Sequence, residues 1–135
     1  MNYKLINFQT YGDERGTLVS LESNKNIPFD IKRIYYMYDT SPDWVRGKHA
    51  HRKLQQVLIA IDGACTIVLD DGKTRHEILL NRPDVGLYVP AYVWREMRDF
   101  SYGCKLMVLA SDLYAEEDYI RDYNKFLEII RDDNK

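Results

Sequence analysis

Gly47-Lys48-His49-Ala50-His51-Arg52-Lys53-Leu54-Gln55-Gln56-Val57-Leu58-Ile59-Ala60-Ile61-Asp62-Gly63 is the stretch whose reading decides the fold. Side chains two apart on a strand share a face, so in its first part His49 and His51 are neighbours. Its second part is an apolar run of strand length that ends at Asp62-Gly63, a pair suited to a tight turn with positive φ. Outward from there the same punctuation recurs, with short runs rich in Val, Ile, Tyr and Leu separated by turn residues every eight to twelve positions or so. About ten strands are predicted: Leu5–Phe8, Thr17–Leu21, Ile31–Tyr38, Val45–His51, Gln56–Ile61, Ala64–Leu69, Thr74–Leu80, Leu87–Val89, Arg95–Asp99 and Lys105–Ser111. Asp71-Gly72 marks a second tight turn, and Pro28, Pro42, Pro83 and Pro90 cannot donate to a ladder. The expectation is an all-β, antiparallel β-barrel or sandwich.

The period changes after Glu116. Tyr119, Ile120, Tyr123, Phe126, Leu127 and Ile130 fall on one face of a helix whose first turn carries Glu116, Glu117 and Asp118, and this short C-terminal helix is expected to cap the barrel or a partner. The 135 residues fit a single domain spanning 1–135, of a size that buries roughly 68% of its unfolded surface. Apolar residues make up 45% of the chain, yet mean hydropathy is -0.47 and no run is long enough to cross a bilayer, so no membrane role is expected. Residues 1–8 lack the features of a secretory signal, which points to the cytoplasm. Cys65 and Cys104, without CxxC spacing and in strand-like surroundings, read as buried, inert thiols. A net charge of -2 argues against an extended nucleic-acid surface and leaves room for a local arginine cluster on a small anion.

From His51, four residues lead to Gln56 and six more to Gly63, a stretch that resembles the first cupin motif with glutamine in place of glutamate. Gly86 through Pro90 resembles the second, with Tyr92 where its second glycine would be and Arg95 where its third histidine would be. The resemblance spans about positions 30–110 and implies a cupin-type jelly-roll. Its departures decide the chemistry. A metal cupin brings about three imidazoles and a carboxylate onto one ion, whereas here the set is His49, His51, Gln56 and a cationic Arg95, which repels a dication. No metal and no cofactor are expected. Two imidazoles with an ordinary pKa of about 6.5 remain, in a polar cavity suited to proton transfer on an anionic substrate.

Around that cavity, alternation separates Arg33, Tyr35 and Met37 from Ile34, Tyr36 and Tyr38. Arg33 offers a fork for phosphate and Tyr35 a ring for stacking. Strict alternation turns Arg46 away from the histidine face, although strand entries are often irregular. Arg15-Gly16 sits in a turn leading into a strand. Lys48, Arg52 and Lys53 read as solvated; Tyr88, Tyr92 and Trp94 read as core or rim.

Three pieces, Arg46-Gly47-Lys48-His49-Ala50-His51, Val93-Trp94-Arg95-Glu96-Met97 and Val108-Leu109-Ala110-Ser111-Asp112, give the chain a resemblance to the WxcM-like sugar-nucleotide 3,4-ketoisomerases that act on dTDP-4-dehydro-6-deoxyglucose. It extends over nearly the whole length, including Arg15-Gly16 and Ile31-Lys32-Arg33. A more distant similarity joins it to the dTDP-sugar 3,5-epimerases, whose catalytic histidine stands at the place of His49; both groups are metal-free. The resemblance implies that a base removes the C3 proton, an enediol or enediolate forms, and C4 is reprotonated to leave the carbonyl at C3. His49 is favoured for the carbon proton and His51 for the proton moving between the oxygens. Arg33 and Arg46 would hold the pyrophosphate, Tyr35 the thymine or sugar, and Arg15, Gln56 and Arg95 would lie near the sugar and the developing oxyanion. The face on which C4 receives its proton separates the galacto from the gluco product. The resemblance further implies a homodimer, with exposed tyrosine-rich N-terminal strands, and a 3-keto product handed to a PLP-dependent aminotransferase for lipopolysaccharide or S-layer glycan. Rival readings have distinct signatures: a 3,5-epimerase exchanges protons at C3 and C5 and keeps its ketone in place, a metal cupin carries metal when purified, and a regulatory cupin binds without turnover.

Overall fold

The computed structural model describes residues 1–133; Asn134 and Lys135, which the single-domain expectation includes, lie outside the described residues. Twelve strands occur, β1 (Lys4–Asn7), β2 (Thr10–Asp13), β3 (Gly16–Val19), β4 (Arg33–Met37), β5 (Arg46–His51), β6 (Gln56–Asp62), β7 (Cys65–Asp70), β8 (Arg75–Leu80), β9 (Val85–Val89), β10 (Trp94–Arg98), β11 (Lys105–Ala110) and β12 (Tyr119–Ile120), followed by helix α1 (Tyr123–Asp133). One five-stranded antiparallel sheet runs β1-β9-β6-β11-β4, another runs β12-β5-β10-β7-β8, and β2-β3 form a separate hairpin. This is the expected antiparallel jelly-roll architecture, with each of the ten predicted strands present to within a few residues.

The main core lies between the two sheets. Leu58 and Ala60 from β6, Leu87 and Val89 from β9 and Leu106 and Val108 from β11 meet Ile67 and Leu69 from β7 and Met97 from β10. Each sheet is covered on its outer face as well. Val57, Ile59 and Leu109 pack under Phe8, Ile27 and Phe29 of the N-terminal segment, while Ala50 and Trp94 pack under Ile120 and Phe126. That double coverage explains why β6 and β7 read as near-continuous apolar runs: both of their faces are buried. The predicted Asp62-Gly63 turn is present, Gly63 taking the left-handed backbone (φ 72°) that a side chain rarely adopts.

Two expectations need correction. The C-terminal helix begins at Tyr123; Glu116–Asp118 form a single 3-10 turn, and Tyr119 and Ile120 form β12, paired with His51 and Ala50 of β5. Backbone pairing to an open strand edge here outweighs the helical spacing of the apolar residues, although the predicted face still packs, with Phe126 buried and Tyr123, Leu127 and Ile130 against the same cluster. The strand β2 over Tyr11-Gly12-Asp13 was not predicted, because it has no apolar alternation and all of it is exposed. Cys65 and Cys104 are free and buried as expected, with burial pushing the Cys65 thiol up to about 12, far from the reactive thiolate range. Among the described residues, no helix is long and apolar enough to cross a membrane.

Candidate active site

Strand β5 runs between β10 and β12, and its alternation works as the sequence requires. Ala50 faces the helix side, and His49 and His51 face the inter-sheet side with ring centroids 4.8 Å apart, edge to face. Position 46 breaks that alternation. Arg95 opposes His49 and Met97 opposes Arg46, so three residue steps on β5 match two on β10. The extra residue is a bulge at Gly47, whose φ of 67° favours glycine and whose Cβ would stand 3.2 Å from Met97. The bulge turns Arg46 onto the histidine face, a placement that strict alternation denies it.

A cavity of about 320 Å³ opens between the two sheets. Arg33, Tyr35 and Met37 line it from β4, Arg46, Gly47 and His49 from β5, and Tyr119 and Arg121 close one side. Beneath it lie His51, Gln56 and Arg95, all fully buried. Arg95 donates from one terminal nitrogen to Gln56 Oε1 and from the other to the Val93 carbonyl at 3.0 Å, and Gln56 Nε2 donates to the Tyr35 hydroxyl at 2.9 Å. This chain of donors ties β10 to β6 and β4 across the interior. Burial lowers the Arg95 pKa to about 10, which still leaves it a cation, and the same desolvation raises Tyr35 so that it remains a neutral phenol. Arg33 stands over the Tyr35 ring at 5.2 Å and its Nε is buried without a partner.

Burial first, and then the Arg95 guanidinium, push both imidazoles down to about 2, so each is neutral near pH 7. His51 Nδ1 lies 2.9 Å from Asp118 Oδ2. The Nε2 atoms of both histidines are buried and make no hydrogen bond within the protein. Tyr119 packs against both rings at 5.0 and 4.5 Å, and Arg121 stacks on Tyr119 at 4.1 Å while pairing with Glu116 at 2.7 Å. Among the described residues, no group of three or more His, Cys, Asp or Glu side chains converges as a metal site. Where the motif would place a ligand, Arg95 instead presents a positive charge directly across from His49.

Of the residues singled out from the sequence, the structure brings together His49, His51, Gln56, Arg95, Arg33, Tyr35 and Arg46. Arg15 is not among them. It sits at the β2–β3 turn, 86% exposed, paired with Asp13 at 2.6 Å and lining no part of the cavity. Tyr92 takes a left-handed backbone (φ 59°), the conformation that favours glycine, and donates its N–H to the His51 carbonyl, so it shapes the histidine strand. Sequence reasoning missed Asp118, Tyr119 and Arg121, because three acidic residues before an apolar repeat read as a helix start. The signal available was the Tyr119-Ile120 pair itself, aromatic and β-branched, which suits an edge strand.

The chain matches the family described as "FdtA: WxcM-like, C-terminal" over residues 1–131. It is 55% identical to the TDP-4-oxo-6-deoxy-alpha-D-glucose-3,4-oxoisomerase of Aneurinibacillus thermoaerophilus over 130 residues, 96% of this chain and 94% of that protein. A 3,4-ketoisomerase from Helicobacter canadensis superposes with a TM-score of 0.96 at 58% identity, covering 97% of this chain and 98% of that one. A mutant of the 3,4-ketoisomerase QdtA from Thermoanaerobacterium thermosaccharolyticum, solved in complex with TDP-4-keto-6-deoxyglucose, superposes at 0.95 with 45% identity, over 97% of this chain and 95% of that one.

Proposed function

We infer, because the chain belongs to the FdtA family (WxcM-like, C-terminal), that it is a sugar-nucleotide 3,4-ketoisomerase converting dTDP-4-dehydro-6-deoxy-D-glucose to a dTDP-3-dehydro-6-deoxyhexose. It is an isomerase that moves a carbonyl between neighbouring carbons. One observation carries the residue-level reading: two adjacent neutral imidazoles, each with a buried, unpartnered Nε2, stand beside a cavity ringed by arginines. The C4 carbonyl acidifies the proton on C3. His49 takes that proton as the C3–H electron pair forms the C3=C4 bond and the carbonyl pair moves onto O4. His51 accepts the proton of the C3 hydroxyl and delivers it to O4. The enediol then collapses: the O3 electrons form the new carbonyl, and the C3=C4 pair takes the proton back from His49 at C4. Each proton removed is returned, so no oxidant or reductant enters.

The arginines supply the anion site. Arg33 and Arg46 hold the pyrophosphate, Tyr35 packs on thymine or sugar, and Gln56 and Arg95 support the oxyanion. A bound diphosphate offsets part of the positive field that depresses the imidazoles, which brings their basicity closer to what the step needs. We read the enzyme as metal-independent, since a buried guanidinium and an amide stand where a metal cupin has two ligands. The chain acts as one cupin-like domain in the cytoplasm and pairs with itself. Exposed Tyr11 and Leu18 on the β2–β3 hairpin, and Ile34 and Tyr36 on the outer face of edge strand β4 with Tyr38 just beyond it, support the homodimer. A 3-keto sugar nucleotide suits a PLP-dependent aminotransferase that builds 3-amino-3,6-dideoxysugars for lipopolysaccharide or S-layer glycan.

The test is incubation of the purified protein with dTDP-4-dehydro-6-deoxyglucose in deuterium oxide, followed by NMR. The carbonyl is expected at C3 of the product. A ketone that stays at C4 while deuterium enters C3 and C5 would make the enzyme an epimerase.

A further inference from the structure

Asp118 is held in place from two directions that do not involve substrate. Its backbone carbonyl accepts from the Arg52 N–H at 3.0 Å, and its Oδ2 lies 3.4 Å from the Leu54 N–H and 2.9 Å from His51 Nδ1. The same residue lines a second cavity, of about 430 Å³, together with Arg52, Lys53, Asp112 and Tyr114, none of which lines the substrate pocket. So the imidazole lies between a fixed carboxylate at Nδ1 and a bare, buried Nε2.

An ionised carboxylate only accepts hydrogen bonds, so the short contact requires the proton on Nδ1 and leaves Nε2 with its lone pair. We propose that Asp118 is the positioning residue of the reaction: it selects the Nδ1–H tautomer of His51, keeps Nε2 free to accept a substrate hydroxyl proton, and balances the imidazolium formed while that proton is in transit. The inference rests on the ketoisomerase reading and assigns the group that makes one of its two histidines competent. The proton accepted at Nε2 leaves again from Nε2 to the second oxygen, and the Nδ1 proton stays with the histidine throughout, shared with Asp118. Tyr119 covers the rings and offers no acceptor at Nδ1, so within the described contacts the tautomer rests on this one carboxylate.

Two measurements test it. In the wild-type protein, 15N NMR of labelled histidine is expected to show His51 protonated at Nδ1 and bare at Nε2, a readout independent of turnover. In Asp118→Asn, kcat on dTDP-4-dehydro-6-deoxyglucose is expected to fall at least about 100-fold, as when a triad carboxylate is made an amide, with KM and dTDP binding within about threefold of wild type. A His51 signal protonated at Nε2 in the wild type overturns the proposal, and so does an Asp118→Asn enzyme that folds and turns over at the wild-type rate. A wild-type protein that leaves the ketone at C4 instead defeats the ketoisomerase reading, and the NMR result still decides the tautomer.

Discussion

Strand β5 and hairpin β2–β3 both carry side chains that the sequence aims at a sugar, and they sit in opposite surroundings. β5 is paired on both edges, by β10 and β12, covered by α1 on one face and by the opposing sheet on the other. Among the described residues the hairpin pairs only with itself, and it is exposed along nearly its whole length. On β5 the two histidines are buried among neighbours, at the cost of desolvation that depresses both imidazoles, while Arg46 reaches the cavity from the exposed start of the strand. On the hairpin Arg15 is solvated and pairs with Asp13. Precision and accessibility are therefore assigned to different parts of this chain.

The contrast breaks most readily at the histidines. His49→Asn and His51→Asn preserve size and remove the titrating group, so each is expected to lower kcat by at least about 10³-fold while dTDP affinity, measured by calorimetry, stays within a few-fold. An undiminished kcat in either variant would remove that histidine from the mechanism. The same burial has a stability signature. Both folded imidazoles resist protonation down to about 2, whereas the unfolded ones take a proton near 6.5. The unfolded chain thus binds more protons below pH 6.5, and folding stability falls as pH drops through that window toward about 2, by about 1.4 kcal/mol per pH unit for each imidazole. Urea unfolding should show little change from pH 8 to pH 6.5 and approach that slope as pH falls further in the wild type, with a flatter fall in either asparagine variant.

A smaller effect tests how β5 aims its arginine. Gly47→Ala forces a side chain onto a left-handed backbone beside Met97, with an expected loss of about 1–3 kcal/mol in stability and about tenfold in kcat/KM as Arg46 swings off the cavity. Wild-type kcat/KM would show that the bulge does not set the position of Arg46. The smallest effect is expected at the hairpin: Arg15→Ala should change stability by less than about 0.5 kcal/mol and leave kcat/KM unchanged. A tenfold drop there would place the hairpin at a neighbouring protomer's cavity and make its arginine part of the site.

What the sequence revealed follows the same division. The period-two placement of His49 and His51, and of Arg33 with Tyr35, needs only an undisturbed strand, and both placements hold. The cupin spacing placed Gln56 and Arg95 together, where they share a hydrogen bond. Strict alternation alone would turn Arg46 from the cavity, and the irregular strand entry that the sequence leaves open, one inserted residue at Gly47, brings it onto the histidine face. Asp118 and Tyr119 were hidden for another reason: their helical spacing is real, and only the open edge of β5, a tertiary feature, draws them into a strand. Arg15 carries no pattern that could separate a solvated turn from a binding group.

The covering of the histidines by residues 114–121 also orders events during synthesis. The ribosome releases both five-strand frameworks, lacking only the two-residue β12, before the segment that shields the imidazoles emerges. A nascent chain therefore passes through a stage with its cleft open to water and its two histidines free to titrate, and it gains its chemistry only when Ile120 and Phe126 dock beside Ala50.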